Sequence, residues 1–184
     1  MKGNGNGLGT ILRKLYFYCL PKCGMRSKYI NKHKDLFYHI GENVMWQPRQ
    51  FPADPELISI GDNVKLAANV TFVNHDILYT LYNGMDHTKE FRKYQGCIKI
   101  GNNVMIGANT MILPNVQIGN NVVVGGGSIV TKDLPDNCVA AGVPCKVIGD
   151  FETLKEKYSH YEYFDNSEDY WNQFRELREI KQNK

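Results

Sequence analysis

A single imidazole stands where a regular pattern stops. His75 lies in Asn74-His75-Asp76, and a histidine titrates close enough to neutrality to take a proton from a hydroxyl or an amine. Asp76 or another carboxylate is available to orient the ring. Directly downstream, residues 76–96 form an insert dense in hydrogen-bonding aromatics and charges: Tyr79, Tyr82, Asn83-Gly84, His87, Glu90, Arg92 and Tyr94. Long loops in compact folds are usually functional or disordered. We therefore expect His75 to be catalytic. Asn74, Asp76, Tyr79, Tyr82, His87 and Tyr94 are the candidate substrate-binding residues, with pinning of the loop to a neighbouring subunit as the alternative for its aromatics. His33, His39 and His160 lie outside this region and read as structural.

The element that must position His75 is written in the repeats around it. Ile100, Ile106, Ile112, Ile118, Val124 and Val130 recur every sixth residue, and each is followed four residues later by Val104, Thr110, Val116, Val122, Ser128 or Leu134. A spacing of six scatters residues around a 3.6-residue helix, and the intervening Gly and Asn-Asn pairs weaken one. Hexapeptide repeats instead mark a parallel β-helix whose stacked rungs share one core. Gly and Asn are expected at corners that need positive φ. Ile60, Leu66 and Phe72, with Val64 and Val70, carry the same pattern earlier, and the fragment Ile40-Gly41-Glu42-Asn43-Val44 precedes them. Phe72 to Ile100 is not a multiple of six, so the insert must leave the coil.

The expected organisation is an N-terminal tail and short helical cap over 1–39, the β-helix over 40–149 with the extruded loop 76–96, and a helical extension over 150–184. Residues 1–9, rich in Gly and Asn, read as unstructured. Residues 11–20 read as one short helix stopped by Pro21. Its aromatics and bases, continued by Lys22, Arg26, Lys28, Lys32 and Lys34, are compatible with touching a membrane surface, but packing across the end of the coil is the favoured reading. Tyr170, Phe174 and Leu177 predict a charged-face helix, with Glu168 and Asp169 near its start and Arg175, Arg178 and Lys181 near its end. Leu154, Tyr158 and Tyr161 suggest another before it. Together these helices would cover the last rung's edge.

With 22 Lys and Arg against 19 Asp and Glu, the chain is too mildly basic to argue for nucleic acid. No apolar run is long enough to span a bilayer. Five cysteines without a secretory leader suggest a reduced, cytoplasmic protein. Cys19 and Cys23 lack a partner pair at ligand spacing, and residues 98–147 hold no histidine, so no metal is expected.

The hexads, Asn74-His75-Asp76, the extruded loop, Ile129 to Pro135 (IVTKDLP) and Ala141 to Ile148 (AGVPCKVI) together resemble the hexapeptide-repeat acetyltransferases over roughly 58–149. Within them the chain looks most like the galactoside and maltose branch and the O-acetyltransferases of capsular or lipopolysaccharide sugars. The resemblance implies an all-β, left-handed parallel β-helix assembled as a homotrimer, with acetyl-CoA in the groove between neighbouring coils. It makes His75 a general base for direct attack on the thioester. It puts Ala108 and Gly126 along the pantetheine arm, Thr131 and Lys132 at the adenosine end, and Lys146 near a CoA phosphate. Three readings stay open: O-acetylation of a sugar or glycan hydroxyl, N-acetylation of an amino sugar nucleotide or antibiotic-like acceptor, and a non-catalytic scaffold.

Overall fold

The computed structural model describes residues 8–182, so most of the stretch expected to be unstructured lies outside the described residues. The chain forms two compact units, Met1–Glu152 and Thr153–Lys184.

Helices α1 (Leu8–Tyr18) and α2 (Cys23–Lys32) open the first unit, and the strands that follow stack on three faces. One face aligns β1 (His39–Ile40), β3 (Ile58–Ile60), β6 (Ile98–Ile100) and β9 (Val116–Ile118). A second aligns β2 (Met45–Trp46), β4 (Lys65–Leu66), β7 (Val104–Ile106), β10 (Val122–Val124) and β12 (Cys138–Ala141), and the third aligns β5 (Thr71–Phe72), β8 (Met111–Ile112) and β11 (Ile129–Val130). All these pairings are parallel. The result is a three-sided parallel β-helix. Among the described strands, β13 (Lys146–Asp150) turns back, antiparallel to β12.

Repeat positions stack one above another in the lumen. Ile60, Ile100 and Ile118 form one column through the register Ile60 to Ile100 to Ile118, and Leu66, Ile106 and Val124 form another. All six are buried. The two polar repeat residues, Thr110 and Ser128, are also buried, and each donates its hydroxyl to the carbonyl of Gly125 (3.2 and 2.6 Å), which satisfies them without water.

The corners divide their labour differently from the expectation. Positive φ falls mainly on asparagine: Asn43, Asn63, Asn103, Asn121 and Asn137 all lie between 54° and 59°. Their amides form a ladder, each Nδ2 donating to the next Oδ1 at 2.8–3.0 Å. The hexad glycines serve close approach instead. A Cβ on Gly61 would lie 2.7 Å from the Gly101 carbonyl oxygen, so successive rungs could not stack.

Two helices were not expected. The segment after Pro21 folds as α2, whose side chains bond to the exposed edge of the first rung: Ser27 Oγ accepts from Trp46 N at 2.8 Å, and Arg26 and Asn31 donate to the carbonyls of Gln47 and Val44. Phe17, Ile30, Phe37, Trp46 and Phe51 bury their rings and chains in the same layer. The insert, read as a loop, contains α3 (Leu78–Met85). In the second unit α5 (Ser167–Gln182) starts where Asn166 Oδ1 accepts from Asp169 N, and Glu168 pairs with Arg175 at 2.7 Å. The preceding α4 (Phe151–Ser159) ends before Tyr161.

Candidate active site

After Phe72 the chain leaves the third face, and a short antiparallel stem holds the insert at its root. His75 and Gln95 form an isolated bridge, and Gly96 N donates to the Asn74 carbonyl at 2.7 Å. Asn74 is 2% exposed and its Nδ2 donates to the Gly96 carbonyl at 3.1 Å. Its amide nitrogen is thus tied into the stem, while its buried Oδ1 has no hydrogen-bond partner among the described residues. Farther out, Asn83 closes the insert on itself, giving and receiving hydrogen bonds with the Phe91 backbone at 3.0 Å.

Held this way, the His75 ring is 26% exposed and meets a carboxylate that is not its sequence neighbour. Asp54 Oδ2 accepts from Nδ1. Asp54 precedes the 3₁₀ turn Pro55–Leu57 on the rung before, and its side chain is 14% exposed. An ionised carboxylate can only accept, so it fixes the proton on Nδ1 and leaves the Nε2 lone pair free. Lys93 Nζ, on the returning arm of the insert, stands 3.8 Å from the other Asp54 oxygen. Asp76 is engaged elsewhere, since its Oδ1 accepts from Leu78 N at 3.1 Å and starts α3. Rung stacking makes the dyad, and an offset of one rung back from His75 is the signal by which Asp54 could have been found.

The remaining candidates fall at separate places. Tyr79 and Tyr82 lie on α3, with the Tyr82 ring 5.3 Å from that of Phe91, and exposed His87 follows the helix at φ 48°. The Tyr94 hydroxyl accepts from Asn115 Nδ2 at 2.7 Å, tying the returning arm to the next rung. A cleft of about 250 Å³ opens at this same corner, lined by Glu56, Leu57, Gln95, Gly96, Cys97 and Asn115. None of the expected insert aromatics lines it.

Ala108 and Gly126 occupy the opposite corner of the third face on successive rungs. A Cβ added to Gly126 would stand 3.0 Å from the Ala108 carbonyl oxygen, so the two rungs approach closely here and both side chains stay small. Thr131 and Lys132 follow β11 at the His75 corner, both exposed. Lys146 is exposed on β13, opposite Ala141, and Ala141 sits over Gly125. The third face is thus bordered by a histidine–aspartate pair on one side and by small side chains on the other.

Comparisons with known proteins agree with this architecture. The profile "Bacterial transferase hexapeptide (six repeats)" matches residues 97–132, and "Hexapeptide repeat of succinyl-transferase" matches 58–72. Galactoside O-acetyltransferase of Escherichia coli is 43% identical over 129 residues, 69% of this chain and 59% of that protein. The chain thus spans about three fifths of that relative's length. A putative acetyltransferase of Saccharomyces cerevisiae is 39% identical over 145 residues, 78% of this chain and 70% of the relative. Among solved structures, a galactoside acetyltransferase in complex with coenzyme A superposes with a TM-score of 0.54 at 30% identity, covering 89% of this chain and 92% of that one.

Proposed function

The chain belongs to the hexapeptide-repeat acetyltransferases, and from that premise we propose that it transfers acetyl from acetyl-CoA to a hydroxyl of a sugar or polysaccharide unit. The observation that carries this reading is the His75–Asp54 pair, set at the edge of a coil face whose far corner is kept narrow by Ala108 and Gly126. The coil is left-handed, and three copies assemble so that the groove along each third face is closed by a neighbour.

In the proposed reaction Nε2 of His75 takes the acceptor proton as the hydroxyl oxygen attacks the thioester carbonyl. Asp54 holds the imidazolium that forms. Backbone N–H groups of an adjacent rung steady the tetrahedral oxyanion. As the carbon–sulfur bond breaks, His75 returns the proton to the leaving thiolate, giving acetylated acceptor and CoA. The pantetheine arm lies along Ala108 and Gly126, with Thr131, Lys132 and Lys146 toward the nucleotide. The ammonium of Lys146 is suited to a phosphate.

Acetyl-CoA incubated with a panel of sugars, glycan fragments and amino sugars, with thiol release followed, tests the proposal. Release that depends on a hydroxyl acceptor is expected. Release only with amines would assign N-acetylation, and tight acetyl-CoA binding without release from any acceptor would contradict this reading.

A further inference from the structure

The charge of this chain is distributed unevenly. Residues 1–34 contain eight Lys and Arg and no Asp or Glu, while the remaining residues hold fourteen cations against nineteen carboxylates. The mild net charge therefore conceals a strongly basic end, which includes α1 and α2. Some of this charge is neutralised locally. Arg13 pairs with Asp35 at 3.2 Å, Lys34 pairs with Glu42 at 2.6 Å, and Arg26 is buried against main-chain carbonyls. Lys22, Lys28 and Lys32 are exposed and have no ion pair among the described residues.

The apolar residues of α1 and of the turn that follows it are also split between two sides. Phe17 and Leu20 are buried with the first rung, at 0% and 6% exposure. Leu12, Leu15 and Tyr16, at helical spacings of three and four, are 56–58% exposed on the other side, and Tyr18 and Met25 add to the outward apolar area. A groove of about 500 Å³ runs between the helices, with Leu12, Tyr16 and Met25 in its apolar walls and Lys28 and Lys32 among its lining residues. Packing against the coil uses only the inner side.

We propose that this outer surface of α1 and α2 docks on an anionic phospholipid bilayer. An apolar stripe beside unpaired lysines is the pattern of a helix lying in the membrane interface. Anionic headgroups attract each basic side chain near the surface, while Leu12, Leu15 and Tyr16 enter the acyl boundary. A second copy of this chain is a poor occupant, because it would bring the same cations face to face. Nucleic acid would leave the leucines without a partner. The proposal goes beyond the acetyl-transfer reading and does not depend on it.

Flotation of the full chain with vesicles tests it without any acceptor or acetyl-CoA. The protein should float with vesicles of phosphatidylcholine and phosphatidylglycerol, stay behind with phosphatidylcholine alone, and be released by salt. Each basic residue near such a surface strengthens binding about fivefold, so the exposed-lysine variant K22Q/K28Q/K32Q should bind about a hundredfold more weakly. L12N/L15N should also lose flotation while keeping its oligomeric state in analytical ultracentrifugation. Failure of the wild type to float with anionic vesicles, or flotation of both variants like wild type, would overturn the proposal. So would dissociation of the oligomer in L12N/L15N, which would assign the stripe to a second copy.

Discussion

On the proposed mechanism, the chemistry at His75 turns on which ring nitrogen keeps its lone pair. Asp54 accepts from Nδ1, which leaves Nε2 free for the proposed role of base. In Asp54→Asn the side-chain amide favours the opposite tautomer, and we expect kcat to fall about 10²–10⁴-fold with KM for acetyl-CoA unchanged. Steady-state kinetics would separate this from a binding role, in which KM rises instead. Gly126 makes a contrasting case. Gly126→Leu should weaken acetyl-CoA binding by about tenfold or more, roughly 1.4 kcal/mol, with the far-UV spectrum intact. Unchanged affinity would move the groove elsewhere. His75 was legible in the sequence because the hexads stop at it, whereas Asp54, 21 residues earlier, becomes its partner only when rungs stack.

The elements show why a correct pattern can carry a wrong reason. Gly and Asn at the corners were expected to share positive φ, but asparagine takes most of the left-handed positions, with Gly127 among the exceptions, and hexad glycines such as Gly61 allow the rungs to touch. Asn103→Ala removes a ladder bond on each side and places alanine at φ 56°, with an expected loss of about 1–3 kcal/mol in urea unfolding. Asn103→Gly should be milder. Equal losses in the two variants would mean that the ladder matters more than the backbone. In the insert, Asn83→Ala should speed hydrogen exchange over 84–91 and leave the melting temperature nearly unchanged, because its bonds close only the loop. Slowed turnover in the same variant would tie insert order to catalysis. Neither α2 nor α3 was legible. The first follows a proline with little periodic signal, and in the second Leu78, Leu81, Tyr82 and Met85 do fall at helical spacing, but over only eight residues and interrupted by Asn83-Gly84.

Across the whole molecule one lumen runs from Trp46 to Ala140, and each rung completes its burial only against its neighbours. Its periodic part was fully visible in sequence, since a strict period of six has no helical or hairpin equivalent. Ile106, fully buried in the middle of a column, should lose about 2–5 kcal/mol on substitution by alanine. Acetyl transfer by the folded fraction should survive that change. On the proposed mechanism this rigid coil presents one base to a CoA-bearing groove, and that base helps to build neither. His75→Ala separates the two roles when turnover of acetyl-CoA with its acceptor is followed in parallel with calorimetric binding of CoA. We predict turnover reduced about 10²–10⁴-fold, with CoA affinity and oligomeric state like wild type. Retained turnover, or loss of CoA binding together with the oligomer, would contradict that division of labour.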